Sequence, residues 1–391
     1  MGDRAESPRG PRWEDAPVAD GFGVYVHVPY CASRCGYCDF NTYTAAELGP
    51  GLSRATYADD VCREIDLAAA AMGEPPEVST VFFGGGTPTL LPADDLVRVL
   101  RHLRSTFGLA DGAEITTEAN PETVDPAYFE RLRAGGFTRV SLGMQSASES
   151  VLRVLQRRHT AGRAVAAARE AAEAGFDYVS LDLIYGTPGE DPAQWRSSLA
   201  AAVDAGVGHV SAYALTVEQG TALGAAVARG AMAAPDPDAA AAAYEVCDDV
   251  LTSAGLTWYE ISNWARPGHE CRHNVGYWSP GWQWWGFGPG AHSLIDGVRF
   301  HNVKHPRTYA RHLGQGQLPI ADRDVLTADD RRTEAIMLGL RLRSGLPLQG
   351  LASAEVDALA AEGLLQRKGN RVVLTRTGRL LADRVTLRLL G

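Results

Sequence analysis

The sequence predicts an α/β fold: a partial (β/α)6 barrel followed by a small helical, winged-helix-like domain. Three observations carry that expectation. From Gly21 onward a short apolar run, a loop and a longer amphipathic segment recur six times, and strands alternating with helices build a parallel sheet with right-handed crossovers. Each of the first five runs delivers glycines or a polar residue near its end, and in parallel βα folds the site lies at the carboxyl ends of the strands. From Leu326 the alternation gives way to helices and a hairpin. Six units are too few to close an eight-unit barrel, and a doubly wound open sheet satisfies the same periodicity.

In order, the runs that read as strands are Val24–Val28, Val78–Phe83, Glu114–Glu118, Arg139–Met144, Tyr178–Ile184 and His209–Leu215. Helical periodicity fills Ala55–Ala71, Pro92–Leu103, Pro126–Ala134, Ala161–Ala174 and Pro192–Ala205. Beyond Leu215 the chain is Gly/Ala-rich up to Pro235-Asp236-Pro237-Asp238, a helix-start signal. A helix to Ala254 and a short strand at Leu256–Ile261 follow. Near the end, Glu334–Arg341 and Val356–Leu364 read as helices, and Lys368-Gly369-Asn370 joins short strands Leu365–Arg367 and Arg371–Leu374. The expected units are a mobile tail (1–20), the partial barrel (21–260), an aromatic-rich segment (261–325) and the terminal domain (326–391).

With 391 residues and 45% apolar content, the chain can build more than one core. No apolar run approaches a membrane span. The stretch Met1 to Asp20 lacks the apolar region of a secretory signal, and Glu6 stands where N-myristoylation wants Ser or Thr. The net charge of −10 argues against broad nucleic-acid binding. Locally, eleven Lys/Arg face five Asp/Glu from Arg331 onward, which permits it. Transient association with a membrane is left open.

Three of the six cysteines fall within Cys31-Ala32-Ser33-Arg34-Cys35-Gly36-Tyr37-Cys38, directly after the first strand. Thiolates are soft ligands, so such density reads first as a metal or iron–sulfur site. Structural zinc wants four ligands, usually in two pairs, and Cys62, Cys247 and Cys271 are far away and isolated. Three cysteines leave one corner of a 4Fe–4S cluster open to an exchangeable ligand. A disulfide with a spare thiol, or an incomplete zinc site, is the alternative. Close thiols also fit a reducing compartment, hence the cytoplasm.

The other rim residues can be read chemically. Gly84-Gly85-Gly86-Thr87-Pro88-Thr89 lets backbone approach a ligand closely. Glu118, Gln145 and Asp182 are candidate acceptors, and Arg157 is a partner for a carboxylate; singly, each could be a capping or surface residue. Five of the eight tryptophans lie between Trp264 and Trp285. Aromatics suit a flat ligand, and a histidine among them is a candidate axial ligand for haem iron. His269-x-Cys271-x-His273 is a zinc candidate that lacks a fourth ligand.

The Cys-x3-Cys-x2-Cys spacing, with an aromatic before the last cysteine, resembles the radical-SAM superfamily. Tyr25-Val26-His27-Val28-Pro29-Tyr30-Cys31, Gly84–Thr89, Gln145, Arg157 and Asp182 resemble its oxygen-independent coproporphyrinogen III dehydrogenase family, from Gly21 to the C-terminus. The resemblance implies a TIM-like partial barrel of radical-SAM type. It implies a 4Fe–4S cluster on Cys31, Cys35 and Cys38, with S-adenosylmethionine chelating the open iron. Tyr25, Gly85, Gly86, Thr87, Glu118, Gln145, Arg157 and Asp182 would contact S-adenosylmethionine. Two departures matter. Phe40 stands where the dehydrogenases carry a further cysteine, and only thirty residues precede Cys31, against a longer covering segment in the dehydrogenases. His273-Asn274-x-x-Tyr277-Trp278 resembles the signature of the HemW-type haem chaperone branch. The expected function is therefore to bind haem, with His273 or Cys271 as axial ligand, and hand it to an acceptor protein. The rivals are oxidative decarboxylation of coproporphyrinogen III propionates and radical-SAM modification of a nucleic acid through the basic terminal module.

Overall fold

The computed structural model describes residues 21–48, 54–158 and 160–391; the tail expected over 1–20 lies outside them. Strands β1 (Phe22–Val28), β2 (Val78–Gly85), β3 (Leu109–Ala119), β4 (Arg139–Gln145), β5 (Tyr178–Tyr185) and β6 (His209–Ala214) lie side by side, parallel and in chain order. Each grows out of one of the six apolar runs. The helices Tyr57–Met72, Ala93–Phe107, Pro126–Ala134, Arg163–Glu173 and Pro192–Asp204 make the crossovers.

The sheet extends beyond these six. At one edge β8 (Asn263–Ala265) pairs antiparallel with β6 and β7 (Thr257–Glu260) pairs antiparallel with β8, in the order β6-β8-β7. At the other edge β9 (Gln283–Phe287) pairs parallel with β1, and β10 (His292–Ile295), β11 (Val298–Asn302) and β12 (Ile320–Val325) continue as an antiparallel meander. The aromatic-rich segment thus supplies strands to both edges of one open sheet. A seventh parallel strand, β9, brings its own carboxyl end to the rim.

Period-two alternation sorts the strands into two faces. On one face Val24, Val26, Val81, Phe83, Val140, Leu142, Leu181 and Leu183 are buried against the crossover helices and form the main core. The other face is polar yet also buried, carrying Thr80, Glu114, Thr116, Arg139, Ser141, Ser180, His209 and Ser211. Polar groups taken out of water need partners. The short helix Arg272–Trp278 supplies several of them, as described below.

Glu64, on the first crossover helix, fastens the β9 edge. Its carboxylate accepts from the Gly288 amide at 2.8 Å, from Asn302 Nδ2 at 2.6 Å and from the Tyr309 hydroxyl. Burial pushes this carboxyl from 4.5 up to about 7, against those hydrogen bonds. The native state then holds a proton that the unfolded chain has released. Its stabilising contribution is full below about pH 4.5 and is lost as pH rises through about 7. Denaturant titrations at pH 5 and pH 8 should show wild type losing ground to Glu64→Gln by on the order of 3 kcal/mol. A difference between the two proteins that does not change with pH would contradict this.

The terminal module has its own sheet of β13 (Leu346–Pro347), β14 (Leu365–Lys368) and β15 (Arg371–Leu374), in the order β13-β15-β14. Lys368 pairs with Arg371, so the hairpin turns over Gly369-Asn370, with Gly369 at φ +59°. Helices Ala328–Gly339, Ser353–Ala361 and Ala382–Leu390 close a second core around Leu340, Val356, Leu359, Val372 and Val385. The module docks through Arg379, which grips Asp248 at 2.6 and 3.0 Å and lies over the Trp258 ring. Arg341 pairs with Glu260 at 3.1 Å and lies over the Trp278 ring. Arg367, Arg376, Arg384 and Arg388 also face carboxylates, so much of the local positive charge is committed internally. No helix among the described residues is long and apolar enough to cross a membrane.

Candidate functional site

The cysteine loop leaves β1 and is tied at three places. The Cys31 amide donates to Tyr43 O at 3.0 Å, and the Tyr43 amide donates to Pro29 O at 2.7 Å. The Gly36 amide donates to Leu155 O at 3.0 Å, which seats the loop over the segment leading to Arg157. The Gly86 amide donates to Val28 O at 2.8 Å, and a Cβ on Gly86 would fall 2.5 Å from Tyr30 O, so only glycine fits. Cys31, Cys35 and Cys38 are free, partly exposed thiols, and no disulfide forms. Burial raises the Cys31 and Cys38 thiols, and their proximity to Cys35 adds to it. Arg157 donates from Nη1 to Cys35 Sγ at 3.4 Å and from Nη2 to Gly143 O at 3.3 Å, while its buried Nε meets no partner among the described residues. The thiols share an open turn; no three His, Cys, Asp or Glu among the described residues are drawn into a ready-made metal cage. Three soft donors on one loop beside an unsatisfied guanidinium N–H fit a cluster with a carboxylate-bearing ligand on its open corner.

The neighbouring strands bring the other expected residues to this rim. The Gly85 amide donates to Glu118 Oε2 at 3.0 Å, and Gly85 adopts φ +108° with the His27 ring where a side chain would be. The Tyr25 ring and Glu118 both lie within 3.1 Å of the space over Gly84. The Tyr25 hydroxyl meets His27 Nδ1 at 3.0 Å, and Asn41 O meets His27 Nε2 at 2.9 Å. Ser141 donates to Asp182 at 3.0 Å. Desolvation pushes Glu118 up to about 8, with Asp182 nearby adding to it, and desolvation also raises Asp182 despite hydrogen bonds from Ser211 and Ser141. Two carboxyls held this way form a receptor short of cations. Gln145 sits at a bulge in β4 with φ +64°, a left-handed conformation that costs a non-glycine residue energy. A Cβ on Gly143 would lie 2.5 Å from Arg157 Nη2 and 2.9 Å from Gln145 Nε2, so these three converge. Thr87 donates its amide to Tyr30 O at 2.8 Å, beside Cys31.

His273 stands elsewhere. It is fully buried beneath the rim, with Nδ1 on Thr80 Oγ1 at 2.9 Å and Nε2 on the Tyr277 hydroxyl at 3.0 Å. Its ring stacks on Phe82 and meets Trp282 edge-on, and burial lowers its pKa to about 3. Trp282 itself occupies the volume a Cβ would take at Gly23 and Gly276. Both ring nitrogens are thus engaged in a packed layer. Cys271 is also buried, with its thiol on Glu114 Oε1 at 3.5 Å. The His-Asn-x-x-Tyr-Trp helix is instead the floor of the site, and Tyr277 is the residue through which it reaches the rim.

What sequence reasoning missed lies across β1. A cavity of about 400 Å³ opens between the cysteine loop and β9–β11, lined by Tyr25, Phe40, Asn41, Tyr277, Trp284, His292 and Lys304 among others. Asn41 Nδ2 fastens its wall, donating to Pro289 O at 3.0 Å and Lys304 O at 2.9 Å. The signal was Gly286-Phe287-Gly288-Pro289-Gly290-Ala291-His292, an apolar run ending in glycines like the earlier strands, but nothing local says that its strand inserts beside β1.

Comparison with known proteins agrees with this geometry. The radical SAM superfamily profile matches residues 25–202, and that of the HemN C-terminal domain matches 326–381. Heme chaperone HemW of Mycobacterium tuberculosis is 55% identical over 373 residues, covering 95% of each chain. Heme chaperone HemW of Escherichia coli is 33% identical over 376 residues, covering 92% of this chain and 96% of the relative. Among solved structures, coproporphyrinogen III oxidase (HemN) from Escherichia coli superposes with a TM-score of 0.80 at 24% identity, covering 97% of this chain and 91% of that one, a likeness of fold. With such identity sustained along nearly its whole length, the chain belongs to the HemW family of the radical SAM superfamily.

Proposed function

We propose that this protein is a haem chaperone: it binds haem and passes it to an acceptor protein, on a scaffold that carries a 4Fe–4S cluster and S-adenosylmethionine. The observation that carries the reading is one rim on which three thiols, a glycine turn and two desolvated carboxyls adjoin an aromatic-walled cavity. Cys31, Cys35 and Cys38 would hold the cluster, whose open iron takes the amino and carboxylate groups of S-adenosylmethionine. Arg157 has Nε free to donate to that carboxylate. Glu118 and Asp182 accept from hydroxyls and offset positive charge, relieving their own desolvation. Tyr25, with its hydroxyl on His27, orders the same wall.

Phe40 favours chaperone over dehydrogenase. It is an apolar ring, 58% exposed, at the position where the dehydrogenases carry a cysteine, and it lines the cavity. The two bacterial relatives matched over 95% and 96% of their length are named haem chaperones, which supports the same choice. Thiolates that must stay reduced support a cytoplasmic setting. The test is an anaerobic assay of the reconstituted protein with S-adenosylmethionine, a reductant and coproporphyrinogen III. No decarboxylation of the propionates is expected; robust protoporphyrinogen IX formation would refute the chaperone reading.

A further inference from the structure

We propose that His292, not a residue of the His-Asn-x-x-Tyr-Trp helix, is the axial ligand of haem, which lies in the cavity between Phe40 and Trp284 with a propionate toward Lys304. This rests on the haem reading above and adds the site. The cavity, at about 400 Å³, falls within the usual range for small-molecule sites.

The histidines near the site can be sorted by what their nitrogens already do. His27 lines the cavity but has Nδ1 on the Tyr25 hydroxyl and Nε2 on Asn41 O. His273 is sealed beneath, with both nitrogens engaged. His292 lines the cavity, is exposed, and makes no side-chain hydrogen bond to any described residue. An imidazole with a free nitrogen at a cavity wall is what haem iron needs.

Its surroundings fit a flat apolar ring with carboxylate arms. Trp284 stands edge-on to Tyr277 at 4.9 Å, and its indole N–H donates to His292 O at 2.9 Å, fixing the backbone that carries the imidazole. Phe40 presents an uncovered aromatic ring on the cysteine-loop side. Lys304 is exposed, with its carbonyl clamped by Asn41, so its ammonium is free to meet a carboxylate at the rim. His301, 5.0 Å from His292 between ring centroids, lies outside the cavity lining and serves as the control.

The test is a ferric haem titration of the anaerobically reconstituted full chain, read by the Soret band and by electron paramagnetic resonance. His292→Ala should weaken binding roughly tenfold or more and change the haem spin state, since loss even of a ligand's outer partner costs that much at metal sites. Cluster absorbance should be unchanged, added imidazole should restore the wild-type haem spectrum, and His301→Ala should match wild type. Wild-type Soret band and affinity in His292→Ala would overturn the assignment while leaving the haem reading intact. A wild type that takes up no haem would overturn the haem reading itself, and the assignment with it.

Discussion

Replacing Cys35 by serine should leave the anaerobically reconstituted protein without the visible absorbance of a 4Fe–4S cluster. A cluster on three protein thiolates is already one ligand short of the usual four, and an alcohol is a hard, poorly ionised substitute for a thiolate. Cys35 is the middle thiol and the one that Arg157 meets. The same change should barely touch the fold. Cys35 is partly exposed, its loop is held by backbone bonds to Leu155 and Tyr43, and Arg157 keeps Gly143 as a partner. Such a surface substitution normally moves stability by about 0.5 kcal/mol or less. A Cys35→Ser protein that retains a full cluster would remove the triplet from the account.

Arg139→Met should be among the most destabilising single substitutions in the chain, costing about 3–5 kcal/mol. Arg139 and Glu114 form an ion pair at 3.1 Å with side chains only 1% and 2% exposed. The guanidinium also donates to Ser180 Oγ at 3.3 Å and to the carbonyls of His269 and Glu270 at 2.9 Å. Glu114 in turn accepts the amides of Arg272 at 3.2 Å and His273 at 3.1 Å, the first turn of the floor helix. Burial alone would raise the Glu114 carboxyl, yet Arg139 and those amides carry it below the usual range. Removing the cation strands a buried carboxylate, which is why the expected cost far exceeds that of an exposed pair. Because Tyr277 rides on this helix, the substitution should also loosen the cavity wall. Denaturant midpoints at constant m-value measure the loss, and Arg139→Met/Glu114→Gln should lose less than the sum of the single changes. Additive single effects, or a loss below about 1 kcal/mol, would show that the pair does not hold the helix.

The parts of the fold that local pattern controls were legible. Val24–Val28 and Tyr178–Ile184 announced strands by apolar content, Pro126–Ala134 announced a helix to the residue, and Arg371–Leu374 announced the second strand of the terminal hairpin. The rim residues were legible because a parallel sheet sends all its strand ends to one side, so Gly85, Glu118, Gln145 and Asp182 needed only the right strand order. What the sequence hid was non-local. No property of Gln283–Phe287 says that it pairs with β1 and not with the strand before it, so the wall carrying His292 and Lys304 could not be seen to face Phe40. The packing of the aromatic segment was hidden for a related reason. His273 among tryptophans looks the same whether its nitrogens point to a cavity or, as here, to Thr80 and Tyr277. The strain at Gln145 and the buried polar face were hidden too, because alternation within an apolar run reports burial but not which partners satisfy it.

The most direct test of the central claim is a haem titration of the wild-type protein after anaerobic reconstitution of the cluster. A saturable Soret band at one haem per chain is expected, appearing without loss of cluster absorbance, because the thiols and the cavity wall are different groups on adjoining loops. A protein that carries a complete cluster yet gives only the unsaturable absorbance of free haem would contradict it.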